Sequence, residues 1–167
     1  MATRHAIPRR GLGRTAAALL ALTITACVGG GEPAGPRYSE VTGQIPKLSP
    51  NQARIFFYRD YELYEGTGRP YIRLNGMPAV ISEPGGVSYR DVGPGTYLIS
   101  VDSIGRYPNQ DKTATLKPGE VLYVKIESDR AYNEGFVNPG PDTFVVVIID
   151  PTQGQREIET RRYFAQP

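Results

Sequence analysis

Cysteine and histidine are almost missing from this chain: among 167 residues, Cys27 is the single cysteine and His5 the single histidine. A lone cysteine closes no disulfide within one copy. His5 lies in an N-terminal segment laid out for removal, so the mature protein is expected to carry no imidazole. That excludes Ser-His-Asp and Cys-His nucleophilic arrangements and the usual zinc ligand sets. Long hydrophobic runs are lacking too. Thr15–Ala26 is twelve residues without a charge, about 18 Å as a helix against a hydrocarbon core of about 30 Å. Acidic residues are absent from the first 26 positions, which hold Arg4, Arg9, Arg10 and Arg14. Removing those four from 19 basic residues leaves 15 against 17 acidic ones, a net charge of −2 for the remainder. A weakly acidic mature chain lacks the clustered Lys and Arg that nucleic acid requires, so no such partner is expected.

What is present at the N-terminus is ordered. A basic stretch is followed by the short apolar run and then by Ile24-Thr25-Ala26-Cys27, the layout of a secretory signal. The last four residues resemble a lipobox, the processing site of bacterial lipoproteins. The resemblance implies a diacylglyceryl thioether on the Cys27 sulfur and cleavage between Ala26 and Cys27. Residues 1–26 would then be the signal peptide. Two or three acyl chains anchor stably where one binds only marginally. The competing reading is an ordinary signal with a cysteine near its cut. Val28 follows the cysteine; an aspartate there tends to retain lipoproteins at the inner membrane, so its absence leans toward the outer one.

Residues 27–50 are expected to be the lipidated cysteine and a flexible tether. Positions 28–50 hold five glycines and four prolines, a composition that reads as a coil with a reach of about 25–30 Å. From 51 to 167 short apolar runs alternate with turn residues. Ala53–Tyr58, Tyr71–Leu74, Met77–Ile81, Val87–Val92, Thr96–Asp102, Thr113–Leu116 and Val121–Glu127 read as strands. Asn75-Gly76 is a tight hairpin turn, and Pro78 consigns the strand after it to an edge. Pro84-Gly85, Pro94-Gly95 and Pro118-Gly119 mark further turns. Thr143–Ile149 is apolar throughout, as expected of a central strand buried on both faces. Residues 156–164 fit a short helix as well as a final strand. The expected architecture is all-β: a small antiparallel β-sandwich of seven or eight strands.

The run Ala53-Arg54-Ile55-Phe56-Phe57-Tyr58-Arg59 resembles the opening strand of the bacterial family called domain of unknown function 2846. Leu74-Asn75-Gly76, Gly93-Pro94-Gly95-Thr96-Tyr97 and Lys117-Pro118-Gly119-Glu120 follow in the family's order, and the Pro-Gly-Thr-Tyr segment is similar to PEGA surface domains. The likeness spans roughly 50–150 and implies a β-rich envelope lipoprotein. It carries over no catalytic residue. The loop 128–142 and the segment 61–64 fit the family pattern least well.

Two clusters are candidate interaction surfaces. Tyr58, Arg59, Tyr61 and Tyr64 follow the first strand, with Arg69 and Tyr71 behind them; tyrosine and arginine bring large contact area with a polar tip. Tyr132 and Phe136 lie in an otherwise polar loop. The alternative for both is packing: Tyr58 and Tyr71 on the sheet, Tyr132 and Phe136 over the end of the core. For a hydrolase only carboxylates remain, and Asp60, Glu62, Glu65, Asp91 and Asp102 are candidates that nothing in the sequence pairs. No phosphate loop or calcium loop of recognised spacing is present, so no metal and no cofactor is expected. The reading that follows is a non-enzymatic module held at the outer membrane through Cys27, with an envelope protein or a glycan as partner.

Overall fold

A computed structural model describes residues 34–61, 68–104, 109–129 and 143–166. Nine strands are arranged in two sheets: β1 Ala53–Arg59, β2 Tyr71–Leu74, β3 Met77–Ile81, β4 Gly86–Val92, β5 Gly95–Val101, β6 Lys112–Leu116, β7 Val121–Asp129, β8 Thr143–Ile149 and β9 Arg162–Tyr163. One sheet runs β8-β7-β1-β4-β9 and the other β3-β2-β5-β6. Two short helices, α1 Tyr38–Val41 and α2 Pro151–Ile158, lie outside the strands. No helix among the described residues is long and apolar enough to cross a membrane.

The eight strands read from apolar alternation form within a residue or two of their expected ends. Asn75 and Gly76 take φ of 51° and 82° in the β2–β3 turn, the pair of positive angles that such a hairpin demands. Met77–Ile81 is an edge strand, as Pro78 requires.

Three expectations need correction. The strand count is nine, and the five-stranded sheet is mixed, because β1 pairs parallel with β7 and β4 parallel with β9. Gly119 donates to Gln52 O and Arg54 N to Glu120 O, so β7 begins beside the start of β1 and must run with it. Thr143–Ile149 is an edge strand, while β1 is central and buried at every position. Residues 37–46 make contacts with the five-stranded sheet and the end of α2. Tyr38 packs edge-on against Phe56 at 5.5 Å, Tyr38 N donates to Arg161 O, and Arg54 donates to Pro46 O. Residues 156–164 are both alternatives in turn, the end of α2 and then β9.

Strand alternation explains why β1 is buried on both sides. Ala53, Ile55 and Phe57 face the second sheet, in a core with Ile72, Ile99, Val124 and Val146. Phe56 and Tyr58 face the other way, in a smaller core with Val87, Tyr123 and Ile158 under the helices. Asp150 caps α2 by accepting from Thr152 N and Gln153 N, and Pro151 opens its first turn.

Three of the four sheet edges are closed by named groups. On β8, Ser103 Oγ accepts from Phe144 N, Gln110 O accepts from Val146 N, and the Gln110 amide donates to Phe144 O. On β3, the Gln166 side chain bonds both N and O of Ile81, and Arg90 donates to Ala79 O. On β9, Pro36 O accepts from Tyr163 N.

Candidate functional site

The residues that β1 turns toward the helices form a charged network. Tyr58 donates to Glu157 Oε2 at 2.8 Å. Lys125, which sits opposite Tyr58 on β7, reaches Asp60 Oδ2 at 2.8 Å and Glu157 Oε2 at 3.9 Å. Arg161, just past α2, closes on the other Asp60 oxygen, and Gln153 donates to Glu157 Oε1. Burial pushes Asp60 up, but the hydrogen bond from Lys125 and the charge of Arg161 outweigh it and hold the carboxyl below its usual range. Burial likewise raises Glu157, and hydrogen bonds from Gln153 and Tyr58 with the Lys125 charge bring it below the ordinary value. The Tyr58 hydroxyl is pushed up by burial and by its bond to Glu157.

Lys125 is shared by the two carboxylates, at 2.8 Å from Asp60 and 3.9 Å from Glu157. Through Tyr58 and Lys125 the two carboxylates tie α2 to β1 and β7. Among the described residues no group of three His, Cys, Asp or Glu gathers as a metal site.

Further along the same face Arg54 makes a fork to Asp91, at 2.6 and 2.8 Å. Its guanidinium lies 4.2 Å from the Tyr89 ring centre. Phe56 stacks on Tyr123 at 5.3 Å, and Tyr89 stacks on Tyr163. Burial raises the Tyr38, Tyr123 and Tyr163 hydroxyls. The segment 36–46 lies against this layer through Tyr38 and Pro46 O, and a second groove of about 390 Å³ runs between Val41, Ile45 and Tyr163.

The open feature is at the end of the sandwich. The exits of β1 and β7 lie side by side, since Arg59 pairs with Ile126, and Asp129 pairs with Thr143 at the start of β8. The start of β2 meets the end of β5 through Ile72 and Val101. Arg59 donates to Gly68 O and lies over the Phe144 ring at 4.6 Å, joining the two sheets there. A groove of about 430 Å³ opens at this end, lined by Gly68, Arg69, Pro70, Asp102, Ser103, Ile104 and Phe144. Ile104 is 80 % exposed.

The sequence candidates distribute unevenly over this frame. Tyr58 and Arg59 are 2 % and 1 % exposed; they are not interaction surface, because the helices cover one face of β1 and the Gly68 segment with Phe144 the other. Tyr61 is half-buried, and Tyr71 stands exposed. Arg69 pairs with Glu83 at 2.8 Å. Asp60, Asp91 and Asp102 each sit in an ion pair, the last with Arg73. Ala26, Cys27, Glu62, Tyr64, Glu65, Tyr132 and Phe136 lie outside the described residues. Lys125, Glu157 and Arg161 were missed: they join Asp60 across 65 to 101 positions of chain, and no local spacing announces them. No protein-family model matches the chain, and no curated protein matches it either.

Proposed function

We propose that the chain is a lipid-anchored protein of the bacterial envelope, whose β-sandwich binds or positions another envelope component without catalysis. The anchor follows from the ordered signal and Ile24-Thr25-Ala26-Cys27, and the likeness to domain of unknown function 2846 agrees with it. The observation that supports binding is the groove at the end of the sandwich. It sets Arg69 beside the exposed Ile104 and the ring of Phe144, a mixed apolar and charged lining. The outer face of the four-stranded sheet carries Thr96, Leu98, Ser100, Thr113 and Thr115 beside Tyr71 rather than a strip of aromatics. That composition favours a protein partner over a glycan.

The test is the mass of the amino-terminal peptide from a membrane fraction, beside Cys27→Ala. A peptide starting at Cys27 and carrying diacylglycerol, absent from the variant, is the expected result. An unlipidated mature terminus would refute the anchor. In the same cells a photo-crosslinker at position 104 is expected to give a discrete adduct, lost on Arg69→Glu. A smear or no adduct would remove the groove as the binding surface.

A further inference from the structure

Closure of β3, β8 and β9 by side chains and by the segment at Pro36 leaves β6 as the one edge with no such device among the described residues. Which backbone groups it presents follows from antiparallel alternation. Leu98 O accepts from Asn75 N, Leu98 N donates to the Asn75 side chain, and Asp102 N donates to Tyr71 O. The even-numbered residues of β5 therefore bond toward β2, and Tyr97 and Ile99 bond toward β6. Their partners on β6 are Ala114 and Lys112. The N–H and C=O of Thr113 and Thr115 consequently point outward, and both residues are exposed.

We propose that β6 pairs antiparallel with β6 of a second copy, about a two-fold axis at Ala114. In this register Thr113 faces Thr115 of the other copy, twice, and all four outward groups of each strand are satisfied by four hydrogen bonds. Shifting the register by two residues leaves part of them unpaired. The same register sets Lys112 opposite Leu116, not opposite itself, so the two lysines of the strand pair do not face each other. On the outer face the Thr96–Thr115 hydroxyl contact, 2.9 Å, continues into a Thr115–Thr113 cross-strand pair, a favourable one. Two four-stranded sheets become one of eight. Five-residue strands bury less than the roughly 800 Å² per partner of a stable complex, so the association is weak and concentration-dependent. The inference does not depend on the lipid anchor or on the groove.

The test uses the full chain in cells, with Ala114→Cys and mild oxidation. At a non-hydrogen-bonded antiparallel pair the Cα atoms lie about 4.5 Å apart, which a disulfide bridges. The expected result is a band of doubled mass that the parent chain, with Cys27 alone, does not give. Adding Thr113→Lys with Thr115→Lys sets like charges opposite each other twice and is expected to lower the yield about tenfold. Thr113→Lys with Thr115→Glu restores unlike pairs and is expected to restore the band. That rescue separates lost pairing from lost folding. No band above the parent, a yield indifferent to the lysines, or failure of the glutamate to rescue would each overturn the proposal. So would an adduct of a mass other than double, which would make β6 an edge for a different chain.

Discussion

Gly154→Ala is the sharpest test of how α2 sits on the sheet. Gly154 is inside α2, where alanine is worth about 1 kcal/mol more than glycine by helix propensity alone. The tertiary structure reverses that sign. A Cβ at Gly154 would lie 2.4 Å from Tyr123 Cγ, 2.5 Å from its Cβ and 2.8 Å from its Cδ1. Carbon atoms prefer separations of about 3.5–4.0 Å, so helix and ring must part by about 1 Å. The ring has nowhere to go, because Tyr123 stacks on Phe56 and Phe56 is held in turn by Tyr38 and Tyr89. The helix must lift instead, stretching the Tyr58–Glu157 hydrogen bond and drawing Ile158 out of its pocket. The clash falls on Tyr123 Cβ and Cγ rather than on the free end of a side chain, so the overpacking cost is at the upper end, about 2–3 kcal/mol. Against the propensity gain the net loss is about 1–2 kcal/mol, or a urea midpoint lower by on the order of 1 M. The chain has eleven tyrosines and no tryptophan, so tyrosine fluorescence reports the transition. Gly43→Ala, with nothing within 4 Å of the new methyl group, is the control and should change little. A Gly154→Ala protein as stable as the parent or more so would refute the packing argument.

Two further outcomes follow from the ion pairs. The Asp60 and Glu157 carboxyls sit below their ordinary values in the folded chain, so their contribution is complete above the unfolded values near about 4 and is lost as pH falls through the folded ones. Urea midpoints should be level from about pH 7 to 5 and fall below about 4. With Lys125→Met the fall should begin at higher pH, and a midpoint unchanged at pH 3 in the parent would contradict the network. Arg54→Met leaves the Asp91 carboxylate and Pro46 O without their donor. It should cost about 2 kcal/mol, at the low end for a broken pair because Asp91 is partly exposed, while Arg54→Lys should cost less. Urea titration of both variants checks the order, and equal stability of Arg54→Met and parent would refute it.

The strands were legible because alternation reports which faces of a strand are covered. Val121–Glu127 and Thr96–Asp102 place Leu122, Val124, Ile126, Ile99 and Val101 inward as their spacing predicts. Alternation does not report neighbours, and that is where the reading of Thr143–Ile149 failed. Phe144 and Val146 meet the second sheet while Ile149 packs beneath α2, so both faces of β8 are apolar although it stands at an edge. Tyr58 and Arg59 are contact candidates in the sequence because tyrosine and arginine bring area with a polar tip, with packing of Tyr58 on the sheet as the alternative. Glu157 and the Gly68 carbonyl, far along the chain or across a loop, are what make their burial possible.

Local chemistry is legible along the chain: the signal-like N-terminus ending in Cys27, the strand segments, the Asn75-Gly76 turn and the edge position that Pro78 imposes. Composition also decides which catalytic sets are closed to a chain with one histidine and one cysteine. The parallel pairing of β1 with β7, the contacts of 36–46 with the aromatic layer, the Lys125 network and the β6 edge left open among the described residues arise only in the folded molecule. Each of these depends on groups brought together across tens of residues, where the energy of contact arises from the fold and leaves no period or spacing in the chain.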